Sequence, residues 1–235
     1  MGVKVIGLSK IYGKQKAVDS ISFEVGPGKI LGFLGPNGAG KSTTMKMLAC
    51  YLAPSAGSAE IEGFDTQTAP LEVKKVLGYL PENTPLYTDM YVREFLQFVA
   101  NTYKLANTKD RVEHVIAQVG LQDESHKKIH MLSKGYKQRV GLAQAIIHNP
   151  KVLILDEPTS GLDPNQLADI RSLIKELGRE RTIILSTHIM QEVEALCDHV
   201  IIISKGSIVA NDTLSNLKTK SQSSSLEEIF KKLTA

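Results

Sequence analysis

The chain lacks tryptophan, has two cysteines, and draws only 6% of its 235 residues from the aromatics. Cys50 and Cys197 form no metal-binding spacing and suit a reducing compartment. Long apolar runs are missing too. The apolar runs in "KVLILD" and "HVIIIS" cover four residues each, and even "MLACYLA" covers only seven, where a membrane span needs ~18. The opening "MGVKVIGLSK" has no apolar stretch of secretory-signal length, and its Met-Gly start matches only part of a myristoylation pattern. Charge of one sign is scarce: the net value is +3, too small to argue for nucleic acid as a partner. No internal repeat or coiled coil is present. These absences predict a soluble, cytoplasmic chain.

What is present suits a sizeable core. Hydrophobic residues make up 42% of the chain and charged residues 23%, and the length allows one large α/β domain. Five short apolar runs read as buried strands of a parallel sheet: 30–34, 76–80, 152–155, 182–185 and 200–203. Leu167, Ile170, Ile174 and Leu177 repeat at helical spacing before Gly178. Near the N-terminus, "VKVIGLS", "SISFEV" and "SAEIEG" alternate between turns and predict a small antiparallel sheet. Residues 83–148 hold no convincing strand. Val92, Phe95, Leu96, Val99 and Tyr103 form one helical stripe, and Val112, Val115, Ile116 and Val119 form another that Gly120 closes. The reading is one domain over 1–235. Residues 1–82 and 149–215 form a β subdomain and parallel core, 83–148 an inserted helical subdomain, and 216–235 a Ser-rich linker ("TKSQSSS") with a short amphipathic helix ("LEEIFKKL").

"GPNGAGKST" at 35–43 fits G-x-x-x-x-G-K-[ST], follows an apolar strand and opens a helix. Gly35, Gly38 and Gly40 let the backbone curl so that N–H groups point at phosphate oxygens. Asn37, Ala39 and Thr43 belong to the same loop. Lys41 would neutralise the β- and γ-phosphates, and Ser42 would ligate Mg²⁺. Asp156 ends the strand "VLILD", where phosphate-loop enzymes hold Mg²⁺. Glu157 follows it, placed to deprotonate a water that attacks the γ-phosphate. His188 ends the strand "RTIILSTH", at the sheet edge where open α/β folds keep their ligands. No Asn-Lys-x-Asp segment is present to read guanine. Tyr12 is a candidate for stacking on a base, with simple packing on the small sheet as the alternative. "LSKGYKQR" at 132–139 predicts a second anion site: a helix start with Ser133 as N-cap and Gly135 leaving the backbone uncovered.

"GPNGAGKST", "LSKGYKQR", "LILDEPTSGLDP" and "STH", in this order and spacing, resemble the ATP-binding subunits of ABC transporters. "GYLPENTPLY" and the "LEEIF" tail are most similar to subunits serving ABC-2-type exporters, the gliding-motility group in particular. The resemblance implies a P-loop NTPase with a RecA-like parallel core, ATP and Mg²⁺ as cofactors, and a head-to-tail pairing of two subunits, taken as a homodimer. In that pairing Ser133 and Gly135 touch the γ-phosphate held by the other subunit, and the loop around Asp163 crosses the interface. Tyr12 stacks on adenine with Val18 nearby, Glu157 is the general base, and His188 braces the γ-phosphate and the attacking water. The helical insertion receives a separate integral-membrane permease, which puts the chain on the inner face of the cell membrane, with no nucleic acid. Two departures stand out. Lys134 and Tyr136–Lys137 interrupt the common LSGGQ signature. Glu82 replaces a glutamine that contacts Mg²⁺; a carboxylate can still reach the ion. A soluble ABC ATPase of DNA repair or translation would carry a long coiled coil or two ATPase units. A non-catalytic half would lack Glu157 or His188. The basic cluster Lys127, Lys128, His130, Lys134 and Lys137 reads as a solvated face.

Overall fold

The computed structural model describes residues 1–221 and 225–234. Alternating patterns near the N-terminus give an antiparallel sheet. β1 (Val3–Tyr12) buries Val3, Val5 and Leu8, and β2 (Gln15–Val25) buries Val18, Ile21, Phe23 and Val25. The period-two pattern places these side chains on one face. β4 (Ala56–Ile61) and β5 (Phe64–Asp65) complete the order β2-β1-β4-β5.

The second sheet is built from runs without alternation, because both of its faces are covered. β3 (Ile30–Leu34), β7 (Val152–Asp156) and β8 (Thr182–Thr187) are buried along their whole length. β6 (Leu77–Leu80) and β9 (His199–Ser204) flank them, all parallel. A sixth strand, β10 (Ser207–Thr213), runs antiparallel on the edge, so the order is β10-β9-β3-β8-β7-β6. The expected strand at 76–80 starts one residue late, because Val76 ends the helix α2 (Pro70–Val76).

Helices cover both faces. α1 (Lys41–Leu48) follows β3. Between β6 and β7 come α3 (Val92–Thr102), α4 (Thr108–Gln118) and α5 (Lys134–Ile146). Gly120, at φ 67°, follows the end of α4. Arg111 on α4 donates to the carbonyls of Ile146 and Ile147, both at 2.7 Å, and so satisfies the C-terminus of α5. Phe95, Leu96, Val115 and Val140 share one apolar cluster with Leu153, Leu155 and Leu185 of the sheet, so the three helices are welded to the core. α6 (Pro164–Gly178) and α7 (Met190–Leu196) follow β7 and β8.

The tail departs from the expected linker. Residues 214–221 form a helix, α8 (Leu214–Ser221), and α9 (Leu226–Thr234) follows. Two effects override the serine-rich composition. Asp212 accepts hydrogen bonds from Asn216 Nδ2 (2.7 Å) and Lys220 Nζ (2.6 Å), which fastens the first turns of α8. Leu217 buries with Leu226, Ile229 and Val193 in a separate apolar cluster on β9 and α7. The rest of the Ser-rich stretch, 222–224, lies outside the described residues.

His148 joins the helical region to the core and carries a prediction. Its ring stacks on Tyr103 with centroids 4.1 Å apart and planes 3° from parallel. Nε2 lies 3.0 Å from the Leu77 carbonyl and must donate to it, which leaves Nδ1 unprotonated and, among the described residues, without a partner. Burial pushes the His148 pKa down from 6.5 to about 4; the Leu77 hydrogen bond opposes this and the Arg111 charge adds to it. Below its usual pKa the unfolded chain takes up a proton that the folded chain refuses. Stability should therefore fall between pH ~6.5 and ~4, by about 2 kcal/mol from pH 7.5 to pH 5. Urea unfolding at the two pH values checks this, and the fall should shrink in His148→Gln.

Candidate active site

Parallel register assembles the site. Leu34 pairs with Thr187 and Asp156 with Ser186, so the C-terminal ends of β3, β7 and β8 stop side by side. Three loops start there, and the 35–43 loop fills the gap between them. Gly35 passes so close to β9 that a Cβ would sit 2.5 Å from the Ile203 carbonyl oxygen. Gly40 caps α1 at φ 105°, a conformation that side chains resist. The result is a cleft of about 610 Å³ lined by the 37–43 loop, Tyr12, Glu82, Glu157 and His188.

Among the described residues Lys41 is the only lysine or arginine lining that cleft, and it is 6% exposed. Its ammonium donates to the carbonyls of Gly35 (2.8 Å) and Pro36 (3.3 Å) and lies 3.4 Å from Glu157 Oε1. The other Glu157 oxygen, Oε2, is 2.9 Å from His188 Nδ1. Glu157 has φ 51°, the left-handed region that non-glycine residues seldom occupy, and its N–H donates to the Ser186 carbonyl at 2.9 Å. A buried carboxylate thus sits between a buried ammonium and a half-open imidazole. The arrangement can hold a polyphosphate and deprotonate a water beside it.

Asp156 lies behind Glu157 and accepts from the hydroxyls of Ser42 (3.2 Å) and Ser186. Burial raises its pKa; the two hydroxyls pull it back, and the charges of Glu157 and Glu82 push it further up. A cation at this place would relieve that cost. The donor set is a hydroxyl and carboxylates, all hard oxygen ligands, which fits Mg²⁺. Among the described residues no group of three or more His, Cys, Asp or Glu forms a closed metal cage.

The remaining expected residues fall into three places. Tyr12 is half exposed at the end of β1, with Lys10 Nζ 5.4 Å from its ring centre, and it lines the cleft. Val18 and Ala39 are buried behind the loop. Ser133, Gly135 and Asp163 do not line this cleft. Ser133 caps α5 by accepting the Tyr136 N–H at 3.4 Å, and Asp163 caps α6 by accepting from Asn165 and Gln166. Gly135 is covered, contrary to the expectation from sequence. Gln166 of α6 lies over it, 2.5 Å from where a Cβ would be. Lys134, next to it, lays its ammonium against Gly161. In the basic cluster, Lys127 pairs with Glu124 at 2.7 Å and Lys128 lies over the Tyr91 ring.

Sequence reasoning missed Gln15, Ala17 and Ser160 in the cleft wall and Ser186 on Asp156. It also missed Glu192, a fully buried carboxylate between Thr159 and Thr187. The hairpin pairing of Tyr12 with Gln15 carries Gln15 to the cleft beside Tyr12. Ala17 follows on the same strand and Ser160 on the loop after Glu157, while Ser186 meets Asp156 only through the pairing of β7 with β8.

Comparison with known proteins gives one answer. The family model described as "ABC transporter" matches residues 18–160. The chain is 40% identical over 219 residues to the ABC transporter ATP-binding protein NatA of Bacillus subtilis, covering 92% of this chain and 89% of that protein. It is 40% identical over 222 residues to the bacitracin transport ATP-binding protein BcrA of Bacillus licheniformis, covering 94% and 72%. A solved structure described as the ATP-binding subunit of an ABC transporter superposes with a TM-score of 0.91 at 30% identity, covering the whole of both chains.

Proposed function

Since the chain belongs to the family of ABC transporter ATP-binding subunits and is an ATPase, we propose that it drives export through a separate ABC-2-type permease. It would work as one half of a head-to-tail homodimer at the cytoplasmic face of the membrane. Among the described residues no helix is long and apolar enough to cross a bilayer, so the transport path would lie in another chain. The relatives' names point toward export: one is a bacitracin transport protein and another, 36% identical, a linearmycin resistance protein of Bacillus subtilis.

One observation carries the dimer reading. Ser133, which caps α5, and Lys134 beside it are exposed, although Gln166 covers Gly135, and this helix start does not border the cleft of its own chain. A helix start with free N–H groups attracts anions, and the anion it would meet is the γ-phosphate held by a second subunit. In each cleft, Tyr12 would stack on adenine and the 35–43 loop would wrap the phosphates. Lys41 would exchange its loop carbonyls for phosphate oxygens. Ser42 and Asp156, with Glu82 at the rim, would hold Mg²⁺, which when bound neutralises phosphate charge. Glu157 takes the proton of the attacking water, and His188 steadies Glu157 and the γ-phosphate. Residues 83–148 would receive the permease, and 1–82 with 149–215 would carry the nucleotide.

The test is co-purification. The tagged chain, taken from gently solubilised membranes of its own host, should bring down a multi-spanning protein without an ATPase unit. Recovery with ribosomes or nucleic acid instead would contradict the transporter role.

A further inference from the structure

Glu192 is buried to 0% exposure and has no cation within ion-pair distance among the described residues. A carboxylate in such a place is costly unless strong hydrogen bonds hold it. It has two. Thr159 Oγ1 donates to Oε1, and Thr187 Oγ1 donates to Oε2 at 2.6 Å. Thr187 Oγ1 also accepts the Ile189 N–H at 3.1 Å, so the backbone is pinned on both sides of His188. Thr159 lies two residues beyond Glu157 in the loop that leaves β7. Thr187 is the last residue of β8 and directly precedes His188.

We propose that Glu192 is a positioning residue for ATP hydrolysis. Its carboxylate ties the loop of the general base to the loop of His188 and so sets the 2.9 Å contact between Glu157 and His188. The inference rests on the roles given above to Glu157 and His188. Neither side chain is fixed by its own loop alone. Glu157 has the left-handed backbone of a strained turn, and the His188 side chain is 45% exposed. The side chains of the knot lie behind them, out of contact with solvent, and do not line the nucleotide cleft; the link from the Gly35 N–H of the phosphate loop to the Thr187 carbonyl, at 3.4 Å, runs through the backbone and survives each side-chain substitution. Loosening the knot should therefore change the geometry of the chemical step and leave nucleotide binding alone.

Glu192→Ala, Thr159→Val and Thr187→Val remove the knot in three ways. Glu192→Gln keeps its shape, since one amide atom accepts from a threonine hydroxyl and the other donates to one. Glu192→Ala and both valine variants should lose roughly ten- to a hundredfold in kcat, with the KM for Mg-ATP within about twofold of wild type. Glu192→Gln should recover most of that loss. Rates are taken per folded molecule, measured by circular dichroism well below each melting temperature. The valine variants leave the carboxylate in place and keep the test open if Glu192→Ala fails to fold. An unchanged kcat in the valine variants, or a loss that only follows the folded fraction, would overturn the proposal. Glu157→Gln is assayed in parallel. If it hydrolyses ATP at the wild-type rate, the underlying assignment fails and this one with it. If it is inactive while the knot variants are not, only the role of Glu192 is lost.

Discussion

Glu157→Gln should lower kcat for ATP hydrolysis roughly 10²–10⁴-fold, the range that a positioned general base supplies. ATP affinity should stay within a few-fold of wild type. The amide keeps the shape of the carboxylate and its hydrogen bond with His188 but cannot take a proton from water. The effect on binding follows from Lys41. Its ammonium is shared between Glu157 at 3.4 Å and the loop carbonyls, and losing the carboxylate charge frees it for phosphate. Binding should therefore hold steady or tighten while turnover collapses. Phosphate release against equilibrium binding of ATP separates the two, and wild-type turnover in the variant would remove Glu157 from its role.

Lys41→Ala should fail at the earlier step. Among the described residues Lys41 is the only lysine or arginine lining the cleft, and the loop around it offers N–H dipoles but no other full charge. Losing a charge-assisted hydrogen bond costs about 1.5–3 kcal/mol, so affinity for Mg-ATP should fall by roughly 10–10²-fold. Hydrolysis should drop further, because charge builds on the γ-phosphate in the transition state. The folded protein also suffers. Glu157, 6% exposed, loses its ammonium partner, and an unpaired buried charge is costly. A melting temperature below wild type without nucleotide, and little raised by Mg-ATP, is the expected pattern.

These effects centre on residues that the sequence already singles out, and the reason is physical. Gly35, Gly40 and Lys41 are fixed by a local requirement, a loop that must curl around phosphate. Asp156, Glu157 and His188 stand at the ends of apolar runs, where a parallel sheet exposes its ligands. β3, β7 and β8 are equally legible, since burial on both faces leaves no polar alternation. β10 is not, because "SIVANDT" is neither apolar nor alternating. Its hairpin is set by Lys205 and Gly206, both at positive φ, a turn whose meaning appears only once β9 offers an edge. α8 was hidden by composition, which says nothing of Leu217 finding Leu226 and Ile229. The cover over Gly135 and the knot at Glu192 are long-range pairings between loops and helices, and period or spacing does not encode them.

The central claim is that each complete site is shared by two chains, and mixing two inactive variants tests it most directly. Lys41→Ala destroys the phosphate loop. Ser133→Asp keeps a good N-cap for α5 but puts a negative charge where a partner's γ-phosphate would dock. Each variant alone should be nearly inactive. In a head-to-tail pair of one with the other, one site carries both defects and the other carries none. The mixture should therefore recover about a quarter of the wild-type rate, since random pairing makes half of the dimers mixed and each has one intact site. No recovery at any mixing ratio, or full activity of Ser133→Asp alone, would contradict the shared site.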